Sequence, residues 1–271
     1  MMKIACCSTL NDRYLDGFLT FFYSLQKHTP NFNYPYYIFE WGELSDASKE
    51  FLNKIYPHFI FKSIDNSAYE GCTYDTEWRT WDINCINRFD IFTLTEYDRV
   101  VFLDVDMLVL KDITELFTLD VDFGAVAVLP ILGSVMDHPG SYDKSITTFD
   151  GGLMVISSKY LNDNTKRDLI KIAFQKKWSS DEPILNVYFT NDKTTFLPKE
   201  YNILVSELTP DLLNSAKIIQ FVGHNKPWIG TSLNTRYDDH IFKVVSNLPF
   251  IMQVDFLYQR YYNEAKKLYG C

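Results

Sequence analysis

The spacing of apolar residues changes in a regular order along the first part of the chain. Three runs of continuous apolar residues, typical of strands, are Lys3–Ser8, Pro35–Glu40 and Phe59–Ile64. Between these runs, residues 12–28 and 45–56 carry apolar side chains three and four positions apart, which predicts two amphipathic helices. Asp12 and Ser45 are suited to be their N-caps. The order strand, helix, strand, helix, strand is typical of an α/β domain with a mostly parallel sheet.

The alternation of helices and strands continues through the rest of the chain. Further helices are predicted over residues 81–94, 161–177 and 181–189, and further strands over residues 99–105, 123–129, 152–157 and 217–223. The last segment, residues 251–269, is amphipathic and is expected to pack on the outside of the domain. The chain contains no repeat, no low-complexity segment and no linker, so we treat residues 1–271 as a single domain.

Residues 130–149 interrupt this alternation. The segment lacks periodicity and mixes Gly, Pro, Asp, His and Ser. Loops of this length in a compact domain are often functional, so we expect it to border a binding site.

The composition and charge of the chain limit the classes of protein to which it can belong. The net charge of −9 does not suit a general binder of the nucleic-acid backbone. Five cysteines, an odd number without metal-type spacing, favour reduced thiols in a cytoplasmic protein. The sequence shows neither a signal-peptide pattern nor a run of the roughly 18 apolar residues needed for a transmembrane segment. A homodimer is an option that the sequence leaves open.

Two aspartates stand out in the apolar stretch 99–117. Asp104 and Asp106 lie at the predicted carboxyl end of a buried strand, two positions apart, so both carboxylates can point into one crevice. Burying them is costly unless a cation or hydrogen bonds compensate the charge. Oxygen ligands suit Mn²⁺ or Mg²⁺, which are often held by one or two carboxylates together with substrate phosphates. The simpler alternative is that the pair ends the strand in solvent.

Two enzyme classes share this pattern. In a phosphatase of the haloacid dehalogenase type, the first aspartate of the pair is a nucleophile and a second acidic pair follows a later strand. Asp238 and Asp239 supply such a pair, but no apolar strand precedes them. In a nucleotide-sugar glycosyltransferase, the two aspartates hold a metal ion that bridges the diphosphate.

Six blocks in order favour the second class. The blocks are STLNDRYLDGFLTFFYSLQKH, YDRVVFLDVDMLVLKDITELF, FDGGLMVIS, SSDEPILNVYF, LPKEYNIL and IIQFVGHNKPW. With these blocks the sequence resembles family 8 of the retaining glycosyltransferases, the glycogenin and lipooligosaccharide galactosyltransferase family. The resemblance implies the GT-A fold, a Rossmann-like nucleotide-diphospho-sugar transferase fold whose mixed, mostly parallel sheet is flanked by helices. It divides the chain into a nucleotide-binding half (1–105), a sugar and acceptor half (106–230) and a helical tail (231–271).

The resemblance also implies roles for individual residues. The positions expected to contact the UDP-sugar donor are Thr9, Leu10, Asn11, Tyr14, Arg88, Asp104, Val105, Asp106, Gly151, Gly152, Gly223, His224 and Lys226. The metal would be held by Asp104, Asp106 and Gln220. The carboxylates expected beside the reacting sugar carbon are Asp181 first, then Asp150 and Glu182.

Three positions depart from the family pattern. Gln220 stands where the family has a metal-binding histidine, so Gln220, His224 or a water completes the metal site. Asp150 and Glu182 stand where the family usually has Asn and Gln, which adds negative charge near the sugar. The sequence therefore predicts a metal-dependent retaining transfer of a hexose, glucose or galactose, to a glycan, lipid or protein. A nucleotide-sugar binding protein without turnover is the third interpretation.

Overall fold

The computed structural model describes residues 2–40, 42–72, 83–128, 147–178, 180–223, 226–229 and 248–270, without the side chains of residues 83–87, 248, 249 and 251. Most of the predicted loop 130–149, the acidic pair at residues 238 and 239, and His224 lie outside the described residues.

Ten strands and six α-helices are found in the described part of the chain. The strands are β1 (Ile4–Thr9), β2 (Tyr36–Glu40), β3 (Phe59–Ser63), β4 (Arg99–Leu103), β5 (Met107–Val109), β6 (Phe123–Val128), β7 (Thr148–Ser157), β8 (Thr195–Leu197), β9 (Ile203–Leu204) and β10 (Ile218–Gln220). The helices are α1 (Leu15–His28), α2 (Asp46–Ile55), α3 (Asp163–Ala173), α4 (Glu182–Tyr188), α5 (Pro210–Ser215) and α6 (Leu248–Tyr269).

Seven strands form the central sheet in the order β3-β2-β1-β4-β7-β6-β8. β1 pairs in parallel with β2 and with β4, and β2 pairs in parallel with β3. β7 runs antiparallel to both of its neighbours, β4 and β6. A second, three-stranded sheet has the order β5-β10-β9. The predicted α/β class with a mixed, mostly parallel sheet is confirmed.

The central sheet is buried on both faces. In β1, Ala5 and Cys7 pack into one apolar cluster, whereas Cys6 packs into the other. This division explains why the strand sequences are apolar without alternation. The three cysteines whose side chains the structure describes, Cys6, Cys7 and Cys72, are free and buried.

Helix α6 covers the second sheet. Its side chains Val254, Tyr258 and Tyr261, spaced four and three positions apart, pack with Ile219 of β10 in a third apolar cluster. The prediction that the tail packs on the outside of the domain through one apolar face is confirmed. None of the helices in the described ranges has the length and hydropathy required to cross a membrane.

Only one of the two predicted N-caps is found in the structure. Ser45 caps α2 as predicted, by accepting a hydrogen bond from Ser48 N. Asp12 is not a cap, because a 3₁₀ turn at residues 12–14 precedes α1 and Asn11 caps it by accepting from Tyr14 N. Asp12 instead accepts hydrogen bonds from the backbone N–H and hydroxyl of Ser45. The two segments that begin α1 and α2 are therefore tied to each other.

Two predicted boundaries differ from the structure. The helix expected over residues 81–94 is a 3₁₀ helix, Ile83–Thr93, in which Phe89 and Phe92 are fully buried. Their spacing of three matches the 3₁₀ repeat, so both point into the core. The strand expected to start at residue 152 is β7, which starts at Thr148 and includes Asp150.

The aromatic cluster beneath α1 provides a test of the core. Phe22 is fully buried, and its ring centroid lies 4.8 Å from that of Phe59 and 5.1 Å from that of Tyr56. We expect Phe22→Ala to lower the free energy of unfolding by about 3–5 kcal/mol, because it leaves a cavity. Phe256→Ala, the control at a side chain that is 66% exposed, should change it by less than about 0.5 kcal/mol. Urea unfolding followed by circular dichroism measures both; equal losses would contradict the assignment of the core.

Candidate active site

The two aspartates lie in the turn between β4 and β5. β4 ends at Leu103, so Asp104 and Asp106 follow the strand and do not belong to it, contrary to the expectation of strand geometry. The turn is held from two sides, because Asp104 N donates to Gly152 O (2.8 Å) and Phe221 N donates to Asp106 O (2.8 Å). Backbone contacts to β7 and to the segment after β10, rather than strand alternation, fix the pair.

Asp106 is paired with a buried lysine. The residue is 8% exposed, and Lys226, which is 3% exposed, places Nζ 2.5 Å from Asp106 Oδ2. Lys226 also donates to Phe221 O at 2.9 Å. The second carboxylate oxygen, Asp106 Oδ1, is buried and has no hydrogen-bond partner in the described part of the chain. A buried oxygen of this kind is a candidate ligand for a cation.

Asp104 and Asp150 are joined by two amides. Gln220 Nε2 donates to Asp104 Oδ2 (3.2 Å), and Asn202 Nδ2 donates to both Gln220 Oε1 (2.9 Å) and Asp150 Oδ1 (3.1 Å). Gly152 N completes the chain by donating to Asp150 Oδ1 at 2.7 Å. Antiparallel pairing places Gln220 opposite Met107, directly after the acidic turn, so the second sheet delivers Gln220 to the site.

Asp181 is paired with Arg88. Arg88 Nε lies 2.5 Å from Asp181 Oδ2, and Arg88 Nη1 donates to Gly151 O at 2.9 Å. Asp181 occupies the N-cap position of α4 but makes no side-chain cap, so its carboxylate is directed to Arg88.

An irregularity in β7 leaves the backbone groups that these contacts use without a pairing partner on β6. Opposite β6, Met154 pairs with Ala125 and Asp150 pairs with Val126, so residues 151–153 have no partner on that strand. Bulges of this kind are frequent beside active sites. Gly152 lies so close to its neighbours that a Cβ there would be 2.4 Å from Gln220 Oε1 and 2.7 Å from Asp150 Oδ1. No larger residue fits without moving the network.

Burial and mutual repulsion shift the pKa values of the acidic groups in the site. Burial raises the pKa of Asp104 to about 7, with Arg88 opposing the rise and the charges of Asp106, Asp150 and Asp181 adding to it. Burial also raises the pKa of Asp150 to about 6, against the hydrogen bond from Gly152 N. For Asp181, burial raises the pKa and Arg88 lowers it. Clusters of carboxyl groups with raised pKa values are typical of functional sites.

The residues expected at the nucleotide lie at the neighbouring end of β1. Ser8 Oγ donates to Leu103 O at 2.5 Å, so the carboxyl ends of β1 and β4 are adjacent. Leu10 is buried and Asn11 is held by Tyr14 N and Glu43, whereas Tyr14 is half-buried. The remaining candidates in this region are Thr9, at the end of β1, and Val105, in the acidic turn.

One tryptophan connects the two ends of the site. The indole of Trp228 lies 5.9 Å from the ring of Tyr14, edge to face, and covers Gly17 of α1 so closely that a Cβ there would be 2.7 Å away. Trp228 follows Lys226 by two residues. Gly223, in the same segment, has a φ of 96°, which favours glycine.

Two asparagines in the site were not singled out in the sequence. Asn202 has no role of its own in the sequence pattern beyond its place in the block LPKEYNIL, and it is fully buried. Asn186 exchanges hydrogen bonds with the backbone of Phe149, 2.9 Å each way, and donates to Glu182 O, thereby fixing α4 on β7. The available signal was a polar residue within an apolar run, since such residues are buried only when they are hydrogen-bonded.

Comparisons with known proteins agree with this geometry. The sequence profile of Glycosyl transferase family 8 matches residues 5–232. The chain belongs to this family. It is therefore a glycosyltransferase. Members of family 8 generally use a nucleotide-sugar donor and a divalent metal ion.

Individual relatives are distant. An uncharacterised protein R707 of Acanthamoeba polyphaga mimivirus is 26% identical over 80% of this chain and 79% of its own length. Mouse glycogenin-1 is 26% identical over 81% of this chain and 63% of its own length, and human glycogenin-2 is 27% identical over 80% and 42%. The matched part of this family 8 chain thus spans less than two thirds of these glycogenins.

Solved structures share the fold. The galactosyltransferase LgtC, crystallised with donor and acceptor sugar analogues, superposes with a TM-score of 0.66 at 16% identity, covering 96% of this chain and 95% of that one. The bifunctional glycosyltransferase WbbM superposes with a TM-score of 0.64 at 21% identity, covering 96% and 52%. These likenesses establish the GT-A fold of this family 8 member.

The donor set of the acidic turn fits a divalent cation. Asp104 and Asp106 offer hard oxygen ligands, and Asp106 Oδ1 lacks a partner in the described part of the chain. Within the described ranges, no cluster of three or more His, Cys, Asp or Glu side chains is arranged to hold a metal. Two carboxylates suffice for Mn²⁺ or Mg²⁺ when substrate phosphates supply further ligands.

The raised pKa of Asp104 gives a prediction for stability. Its folded pKa of about 7 exceeds the ordinary 3.8, so the folded chain binds the proton more tightly than the unfolded chain. That contribution to stability is present below pH 4 and is lost as the pH rises through 7. In buffer with EDTA, we therefore expect Asp104→Asn to melt at a higher temperature than the wild type at pH 8, and the difference to shrink towards pH 5. Differential scanning calorimetry checks this; a variant that is less stable at pH 8 would contradict it.

Proposed function

We propose that this family 8 glycosyltransferase transfers a hexose from a UDP-sugar, with retention of configuration and with Mn²⁺ or Mg²⁺ at the acidic turn. The observation that supports the metal site is the pair Asp104 and Asp106, in which one buried carboxylate oxygen has no partner among the described residues. Two carboxylates are enough for this role, because Mn²⁺ and Mg²⁺ prefer oxygen ligands and can take the others from the diphosphate.

Asp104 and Asp106 would hold the ion. When bound, it would act as a Lewis acid that neutralises charge on the leaving diphosphate. Lys226 contributes a fixed positive charge at the same place, since its Nζ is buried beside Asp106. We propose that Lys226 and the backbone at Gly223 also border the diphosphate.

The carboxylates of β7 and α4 would face the sugar. As the bond between the sugar and UDP breaks, positive charge builds on the ring, and nearby carboxylates stabilise it. We propose Asp181 for this role first, and then Asp150 and Glu182. Arg88 fixes Asp181 and the carbonyl of Gly151 together, so it sets the distance between the two elements that carry these groups.

The nucleotide would lie across the ends of β1 and β4. Tyr14 is half-buried and offers a ring on which a uracil can stack. We propose that Thr9, Leu10 and Asn11 line the same end of the site and that Val105 faces the ribose. Leu10 contributes through its backbone, because its side chain is buried in the core.

The donor sugar and acceptor are proposed from the relatives. Galactosyltransferase LgtC and the glycogenins support a hexose, and we propose glucose or galactose. The acceptor would be a glycan, a lipid or a protein. Buried free thiols at Cys6, Cys7 and Cys72 support a reducing compartment, and we propose the cytoplasm.

The test is release of UDP. With UDP-glucose or UDP-galactose and Mn²⁺, we expect turnover by the wild type and a loss of at least about 100-fold in Asp106→Asn, because the variant removes a charge that holds the metal. Asp122→Asn, which removes an exposed carboxylate at the far end of β6, should keep wild-type activity. A coupled assay for free UDP measures all three proteins.

Three outcomes would overturn the proposal. Equal activity in Asp106→Asn would remove the metal role of the acidic turn. Release of phosphate from small phosphomonoesters, without UDP release, would indicate a phosphatase instead. Tight binding of UDP without turnover of any hexose donor would indicate a nucleotide-sugar binding protein.

A further inference from the structure

The side-chain amide of Gln220 faces Asp104 with its nitrogen. Gln220 Nε2 lies 3.2 Å from Asp104 Oδ2, while Gln220 Oε1 accepts from Asn202 Nδ2 at 2.9 Å. Gln220 is 3% exposed and Asn202 is fully buried. In this orientation the amide oxygen, the only metal ligand that a glutamine offers, points to Asn202 and away from the carboxylate.

A backbone N–H sets this orientation. Gly152 N donates to Asp150 Oδ1 at 2.7 Å, so this oxygen is an acceptor. Asn202, 3.1 Å from the same oxygen, must then present its NH₂ group to it. The second hydrogen of that NH₂ group meets the carbonyl oxygen of Gln220, which leaves the NH₂ group of Gln220 for Asp104.

Reversing the amide of Gln220 would be costly. The reversed amide would place an NH₂ group against the NH₂ group of Asn202 and an oxygen against the carboxylate of Asp104. One buried and one partly buried hydrogen bond would be lost, and two repulsive contacts would be made. The space is also closed, because a Cβ at Gly152 would lie 2.4 Å and 2.5 Å from the two amide atoms of Gln220.

We propose that Gln220 is a positioning residue for Asp104, held by Asn202, and not the third ligand of the metal. This inference rests on the proposed function, since it concerns the metal of the same site. The ion is held by Asp104 and Asp106 alone among these residues, and oxygen atoms of the donor diphosphate and of water complete its coordination. Metal and nucleotide would therefore strengthen each other's binding, and the ion would bind weakly without UDP.

A crystal structure with Mn²⁺ and UDP tests the exclusion of Gln220. We expect oxygen atoms of Asp104 and Asp106 at about 2.2 Å from the metal, located by its anomalous signal. Both amide atoms of Gln220 should lie beyond bonding distance, with one of them still next to Asp104. An amide atom of Gln220 bound to the metal would overturn the proposal.

Metal affinity tests the positioning role. The Kd of Mn²⁺, measured by titration calorimetry at saturating UDP, should rise about tenfold or more in both Gln220→Met and Asn202→Ala, although Asn202 touches no ligand. The double variant should bind Mn²⁺ no more weakly than the weaker of the two single variants, since both residues act through Asp104. The Kd of UDP in EDTA should stay at the wild-type value in all three, which a general loss of structure would not allow. Asn164→Ala, at an exposed residue of α3, is the control and should change neither affinity.

The outcomes separate this inference from the proposed function. A wild type that binds neither UDP nor Mn²⁺ removes both. A wild type that binds both, together with Gln220→Met or Asn202→Ala of unchanged Mn²⁺ affinity, removes only the positioning role. Additive losses in the double variant would show that the two amides act on the metal separately, and would also overturn the inference.

Discussion

Compensation of buried negative charge is the constraint on which this site depends. Asp104, Asp106, Asp150 and Asp181 are brought to one end of the central sheet, where isolated carboxylates would be too costly to bury. Each is matched to at least one donor from a distant part of the chain. Asp104 is matched to Gln220, Asp106 to Lys226, Asp150 to Gly152 N and Asn202, and Asp181 to Arg88.

The need to pair these carboxylates accounts for the position of the second sheet. β5 is only three residues long and follows the acidic turn directly, and it pairs with β10, which carries Gln220. β9, the third strand, follows Asn202 without a gap and pairs with β10 on the other side. The small sheet thus delivers both amides to the carboxylates, while α6 covers its outer face.

The sequence predicted the fold well because the signals were local. Strand and helix patterns in the first 65 residues, the Ser45 cap and the apolar face of α6 all appear in the structure. The sequence does not distinguish the 3₁₀ helix before β4 from an α-helix, because Phe89 and Phe92, three positions apart, fit both repeats. The acidic pair was found, yet its position in a turn was not, because tertiary backbone contacts from Gly152 and Phe221 define that turn.

Sequence patterns do not show which side chains are hydrogen-bonded to each other within the site. The family resemblance named Gln220 as a ligand, whereas the direction of its amide depends on a chain of hydrogen bonds that starts at Gly152 N. Asn202 had no visible role, since its two acceptors are 18 and 52 positions away. At the other end of the site, Trp228 touches Tyr14 beside β1 and follows Lys226 beside the acidic turn. One indole ring therefore ties the start of α1 to the segment that carries Lys226, and a side chain at position 17 would push the two apart.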